Sequence, residues 1–148
     1  MKSELIQTAP VETFLYPKNF KEKVPFVSSE CEFSPCGWAQ IEGDFFPLGF
    51  KVVTTDLKSL GLRKNPSIMT FPIGEWVALP DDEVVVGKED CGGIWTALKK
   101  GSIKTLRNYM METYGTETRA FLTAMDRPVY ANSYRLKSQG VMLLQEIL

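Results

Sequence analysis

The chain is 148 residues long, the length of one ordinary domain and enough to bury roughly 68 to 70% of the surface its unfolded form exposes. With 44% hydrophobic and 24% charged residues it falls among soluble globular domains, which excludes a disordered, collagen-like or disulfide-scaffold protein. Seventeen Lys and Arg against eighteen Asp and Glu leave a net charge of -1, so no whole-molecule field steers it onto nucleic acid or anionic lipid, and the absence of histidine excludes Ser-His-Asp and Cys-His catalysis.

The first 48 residues combine Pro10, Pro17, Pro25, Pro35 and Pro47 with eight aromatic side chains, from Phe14 to Phe46. Prolines this frequent forbid a long helix, and aromatics this dense need burial, so the segment reads as an arm of short extended pieces pinned to a surface. A regular α+β core is expected over 49–148, the whole chain forming one domain. Its first strand spans 49–55, where Phe50, Val52 and Val53 lie in a β-branched run ended by Asp56 and a short turn to Leu60. Residues 68–79 read as two short strands split at Pro72 and Gly74, and Val84-Val85-Val86 as another after the acidic turn Asp81-Asp82-Glu83.

The strongest periodic signal follows. Ile103, Leu106, Met110 and Tyr114 recur at the spacing of one buried helical stripe, predicting a helix over about 102–114 with Ser102 as cap and Gly115 as stop. Beyond it, 118–125, 129–137 and 141–147 read as three strands separated by turns at Asp126-Arg127-Pro128 and Ser138-Gln139-Gly140. Many strands around one helix predict an α+β domain with a largely antiparallel, meander-like sheet.

Chemistry-bearing constellations are few. Cys31, Cys36 and Cys91 are too few for a four-ligand zinc site without histidine, and an odd count leaves one thiol unpaired in any disulfide scheme, so no metal and no cofactor is expected. No apolar stretch of signal-peptide length follows Met1-Lys2-Ser3-Glu4 and no run of eighteen apolar residues occurs, which points to the cytoplasm, reduced thiols and no membrane span. Asp90-Cys91-Gly92-Gly93 is the most suggestive stretch: a thiol beside two glycines before a helix can serve as a nucleophile, or the Gly92 and Gly93 backbone can cradle an anion. Equally, Glu89 and Asp90 work against a thiolate, and two glycines before a helix make an ordinary turn. Walker and dinucleotide glycine motifs are absent.

Charge is unevenly spread. Residues 99–148 hold eight basic and four acidic side chains, while residues 1–98 hold nine basic and fourteen acidic. Lys100, Lys104 and Arg107 fall on one helical ridge away from the apolar stripe, extended by Lys99, with Arg119, Arg127, Arg135 and Lys137 on the strands beyond and Tyr130 and Tyr134 interleaved. Basic and aromatic groups together suit a nucleotide or a single-stranded nucleic acid, although solvated helix and sheet faces account for the same pattern. Among the acids, Glu75 between Gly74 and Trp76 is the candidate for a desolvated carboxyl.

The resulting expectation is a small cytoplasmic binding domain, more readily a binder than an enzyme. Gly92, Gly93, Lys100, Lys104, Arg107 and Arg135 would contact an anionic ligand or a macromolecular partner, with Cys91 and Glu75 as the candidate catalytic groups. One alternative is nucleotide-dependent transfer of the ADP-ribosyl type, in which an Arg holds phosphate and Glu75 or Glu117 steadies positive charge. Another is a structural or inhibitory protein-protein interaction module that uses the aromatic arm.

Overall fold

A computed structural model describes residues 37–62 and 68–147; of the arm expected over the first 48 residues, residues 1–36, with Cys31 and Cys36, lie outside them. In chain order the elements are β1 (Gly37–Ile41), β2 (Asp44–Thr54), β3 (Val77–Ala78), a 3-10 turn (Asp81–Glu83), β4 (Ile94–Ala97), α1 (Lys100–Tyr114), β5 (Thr118–Ala131) and β6 (Arg135–Ile147). Among the described residues the fold is α+β, an antiparallel six-stranded sheet with one α-helix. No helix among the described residues is long and apolar enough to cross a membrane.

Regular structure begins earlier than the β-branched run suggests. β1 and β2 form a hairpin closed by Glu42 and Gly43, both at positive φ (51° and 90°), the backbone a two-residue hairpin turn requires. Residues 37–48 therefore belong to the sheet.

The sheet is not a meander. Among the described residues only β1–β2 and β5–β6 are hairpins, whereas β2 pairs with β5, β4 and β3 both pair with β6, and β4 touches β2 through the single pair Phe50↔Ala97. Strands β2, β5, β6 and β4 thereby close into a ring whose β2–β4 seam is nearly open. Gly49 makes the seam possible, because a Cβ there would stand 2.6 Å from the Ala97 carbonyl oxygen. The segments 68–76 and 84–86 form no strand. Phe71 is buried in the core, and the amide of Val85 bonds back to Gly92 across a tight loop.

Two long strands replace the three expected after the helix. Asp126-Arg127-Pro128 is an irregularity inside β5, with Arg127 at φ 55°, and Ser138-Gln139-Gly140 runs inside β6. Their polarity misleads because each group is satisfied in place: Ser138 donates to the Gly140 carbonyl, and Gln139 to the Leu79 carbonyl and to Asp81. The actual turn is at 132–134, where the Asn132 carboxamide accepts from the amides of Tyr134 and Arg135.

α1 starts two residues before the expected position, with Lys99 rather than Ser102 at its N-cap and no side-chain cap bond. It ends as expected on Gly115, in the left-handed region, whose N–H reaches the Met110 and Met111 carbonyls. Ile103 and Met110 are buried and Leu106 partly so, but Tyr114 is exposed, which shortens the stripe. Ile103 packs on Val52 and Ala120, outside the strand ring. On the ring's inner side Val53, Phe121, Met125, Leu136 and Leu143 meet Phe71 and Ile94. Burial of each such side chain stabilises the fold by roughly 1.5 to 3 kcal/mol.

Candidate functional site

A cavity of about 1050 Å³ opens where the β2–β4 seam meets the start of α1 and the chain around Ser59 and Met69. That volume suits a small molecule. Its walls are mostly apolar, and the sheet supplies its polar centre.

On β2, Gly49, Lys51 and Val53 share one face by strand alternation. Val53 is fully buried in the inner core, so Lys51 is directed to the same side. Its Nζ donates to the Trp95 carbonyl at 2.8 Å and lies 5.1 Å from the centre of the Phe71 ring. Some of its surface remains accessible because the cavity wall it forms is open to water. Among the described residues no carboxylate pairs with it. Loss of hydration lowers its pKa to about 8.

Beside it on β4, Thr96 is buried and lines the same cavity, and its Oγ1 has no hydrogen-bond partner among the described residues. A buried hydroxyl left unpaired costs free energy unless a ligand or water meets it. Gly49, on the Lys51 face of β2, lies against Thr96, since a Cβ on it would stand 2.8 Å from Thr96 Cγ2.

Trp95 organises the far wall. The Arg135 guanidinium lies 3.8 Å from its ring centre and 3.9 Å from Asp90, while Tyr130 meets the ring edge-on at 5.9 Å. The indole N–H donates to the Asp90 carbonyl, tying the 89–93 loop to the sheet. Lys137 completes that tie from below, donating from Nζ to the carbonyls of Glu89 (2.9 Å) and Cys91 (3.0 Å). It is fully buried, and desolvation lowers its pKa.

Of the residues expected from sequence to contact a ligand, Cys91, Gly92, Gly93 and Arg135 line this cavity together. The glycines are there for space as well as position. A Cβ at Gly92, which sits at φ +80°, would fall 2.3 Å from Val85 Cβ, and one at Gly93 2.3 Å from Lys137 Cγ. Cys91 is exposed and forms no disulfide among the described residues.

Lys100, Lys104 and Arg107 lie apart, around a second cavity of about 990 Å³ that also includes Arg119 and Glu117. Most cations of the basic third are engaged in place. Arg107 donates to the Thr118 carbonyl and hydroxyl, Arg119 grips Glu146 with two bonds, and Arg127 pairs with Asp81. Lys99, Lys100 and Lys104 remain on the surface. Glu75 is exposed and lines neither cavity, so it is not the desolvated carboxyl expected beside Trp76, whose ring instead packs on Phe46 at 4.7 Å. Tyr134 is in the exposed turn and Tyr130 on β5, so the two are not interleaved along the one strand expected over 129–137.

Lys51 and Thr96, which line the cavity, were not among the sequence candidates. For Lys51 a signal existed: in Gly49-Phe50-Lys51-Val52-Val53 the lysine has the same strand parity as Val53, and a charge on a buried parity marks a site. Comparison with known protein families, with curated proteins and with solved structures finds no match, so the chemistry of the site rests on the chain's own residues.

Proposed function

We propose that this chain is a small-molecule-binding domain that takes one largely apolar ligand in the β2–β4 cavity, with an oxygen-bearing end, anionic or carbonyl, turned toward Lys51. The observation that carries the reading is the Lys51 amine in a cavity of about 1050 Å³, bonded to one backbone carbonyl. An ammonium group has three donors, and among the described residues one of them is engaged, leaving two for a ligand oxygen. Arg135 on Trp95 and the Gly92-Gly93 backbone line the same cavity, keeping the expected anionic-ligand role for those positions.

Thermal shift against carboxylates, phosphates, nucleotides and aldehydes, at low and high salt, tests this on the parent and on Lys51→Met. A ligand at 100 times its Kd stabilises the fold by about 2.7 kcal/mol. The expected result is a shift that survives high salt and is lost in Lys51→Met. A flat screen refutes the reading.

A second reading, an anionic macromolecular partner at the start of α1, is favoured by the exposure of Lys99, Lys100 and Lys104 on one helix end. It predicts binding that weakens steeply with salt and is removed by Lys100→Glu and Lys104→Glu, with Lys51 irrelevant.

A further inference from the structure

We propose that Lys51 captures the carbonyl group of an aldehyde or ketone ligand as a protonated imine inside the β2–β4 cavity. This rests on the pocket reading above and names the chemistry of its occupant.

Imine formation needs an amine that reaches a cavity, is not held by a carboxylate, and stands where water can leave. Lys51 meets all three conditions among the described residues. Its Nζ is held by the Trp95 carbonyl at 2.8 Å, and the apolar side chains of Met69, Phe71 and Ile94 form walls around the same space. The lone pair of the neutral amine attacks the carbonyl carbon, forming the C–N bond, and the carbonyl oxygen takes a proton to give a carbinolamine. The hydroxyl then leaves as water while nitrogen forms the C=N bond. Amine, carbonyl compound and one proton become iminium and water, with no oxidant or reductant.

The site suits the product as well as the reactant. A protonated imine keeps one N–H, and the Trp95 carbonyl is the single acceptor already in place for it. Its positive charge takes over the position of the ammonium 5.1 Å from the Phe71 ring centre, where the π face favours a cation. Burial, which brings the lysine pKa to about 8, leaves roughly a tenth of the amine neutral at pH 7, against about one part in three thousand for an ordinary lysine.

The test exposes the full chain near pH 7 to a limiting amount of benzaldehyde with cyanoborohydride, which reduces the imine to a stable benzylamine, and maps labelled lysines by peptide mass spectrometry. Lys51 is expected to label at least tenfold faster than the exposed Lys100 and Lys104 in the same sample, a comparison that needs no variant. In Lys51→Arg the fast phase disappears while the slow surface labelling stays. Labelling of Lys51 no faster than Lys100 overturns the imine. If the ligand screen still gives a shift that depends on Lys51, only the imine falls and the pocket stands; if that shift is also absent, both fall.

Discussion

Replacing Lys51 by Met should remove a pH dependence of stability that the parent carries. In the folded chain the Lys51 pKa is lowered to about 8 by desolvation, whereas the unfolded chain has the ordinary value of 10.5. Below pH 8 both states hold the proton and the group adds no pH dependence. Between pH 8 and 10.5 the unfolded state binds more protons than the folded one, so stability rises with pH, and above 10.5 it levels off. At about 1.36 kcal/mol per unit, the rise between pH 7 and pH 10 is on the order of 2 to 3 kcal/mol. Lys137, whose pKa is also lowered, contributes with the same sign in both proteins, so the difference between parent and variant isolates Lys51. At pH 7 the variant escapes the cost of a buried ammonium but leaves the Trp95 carbonyl unpaired, and the two should cancel to within about 1 kcal/mol. Urea unfolding at pH 7, 8.5 and 10 gives the comparison. Parallel pH profiles for parent and Lys51→Met would refute the burial of this amine.

Four further outcomes follow from the site's construction. Gly92→Ala meets both a left-handed backbone and Val85 Cβ at 2.3 Å, and should cost roughly 2 to 4 kcal/mol in urea unfolding. Lys137→Met releases the Glu89 and Cys91 carbonyls and should cost about 2 to 3 kcal/mol, with faster hydrogen exchange in residues 85–93 than elsewhere. Glu146→Gln weakens the two-bond grip on Arg119 near the surface and should cost about 1 kcal/mol by thermal unfolding. Lys100→Glu with Lys104→Glu, both exposed, should change stability by less than about 0.5 kcal/mol each and leave small-molecule binding intact.

Fold class was legible because its signals are local. The 3.6-residue spacing through Ile103, Leu106 and Met110, with Gly115 beyond it, locates α1 to within two residues. What could not be read was which polar residues are buried. Ser138 and Gln139 look like turn chemistry and Lys137 like a solvated strand charge, yet each is satisfied by groups 40 to 60 residues away or by its own strand, and only tertiary pairing reveals it. The ring closure is similarly silent, since β2 meets β4 through one residue pair that leaves no pattern in sequence. For the site, the Cys91-Gly92-Gly93 stretch and Arg135 do converge on one cavity, whereas Lys100, Lys104 and Arg107 belong to another and Glu75 to neither. Counting charge along the chain overstated the basic face, because ion pairs and carbonyl bonds already engage Arg107, Arg119 and Arg127.

The central claim is that the Lys51 amine stands poorly hydrated in a ligand-sized cavity. Its most direct measurement is an NMR pH titration of the lysine Cε resonances, with Lys51 assigned by its absence from Lys51→Met. A midpoint near 8, with the resonance displaced by a hit from the ligand screen, is the predicted result. A midpoint in the ordinary lysine range, together with no displacement by any ligand, would contradict it.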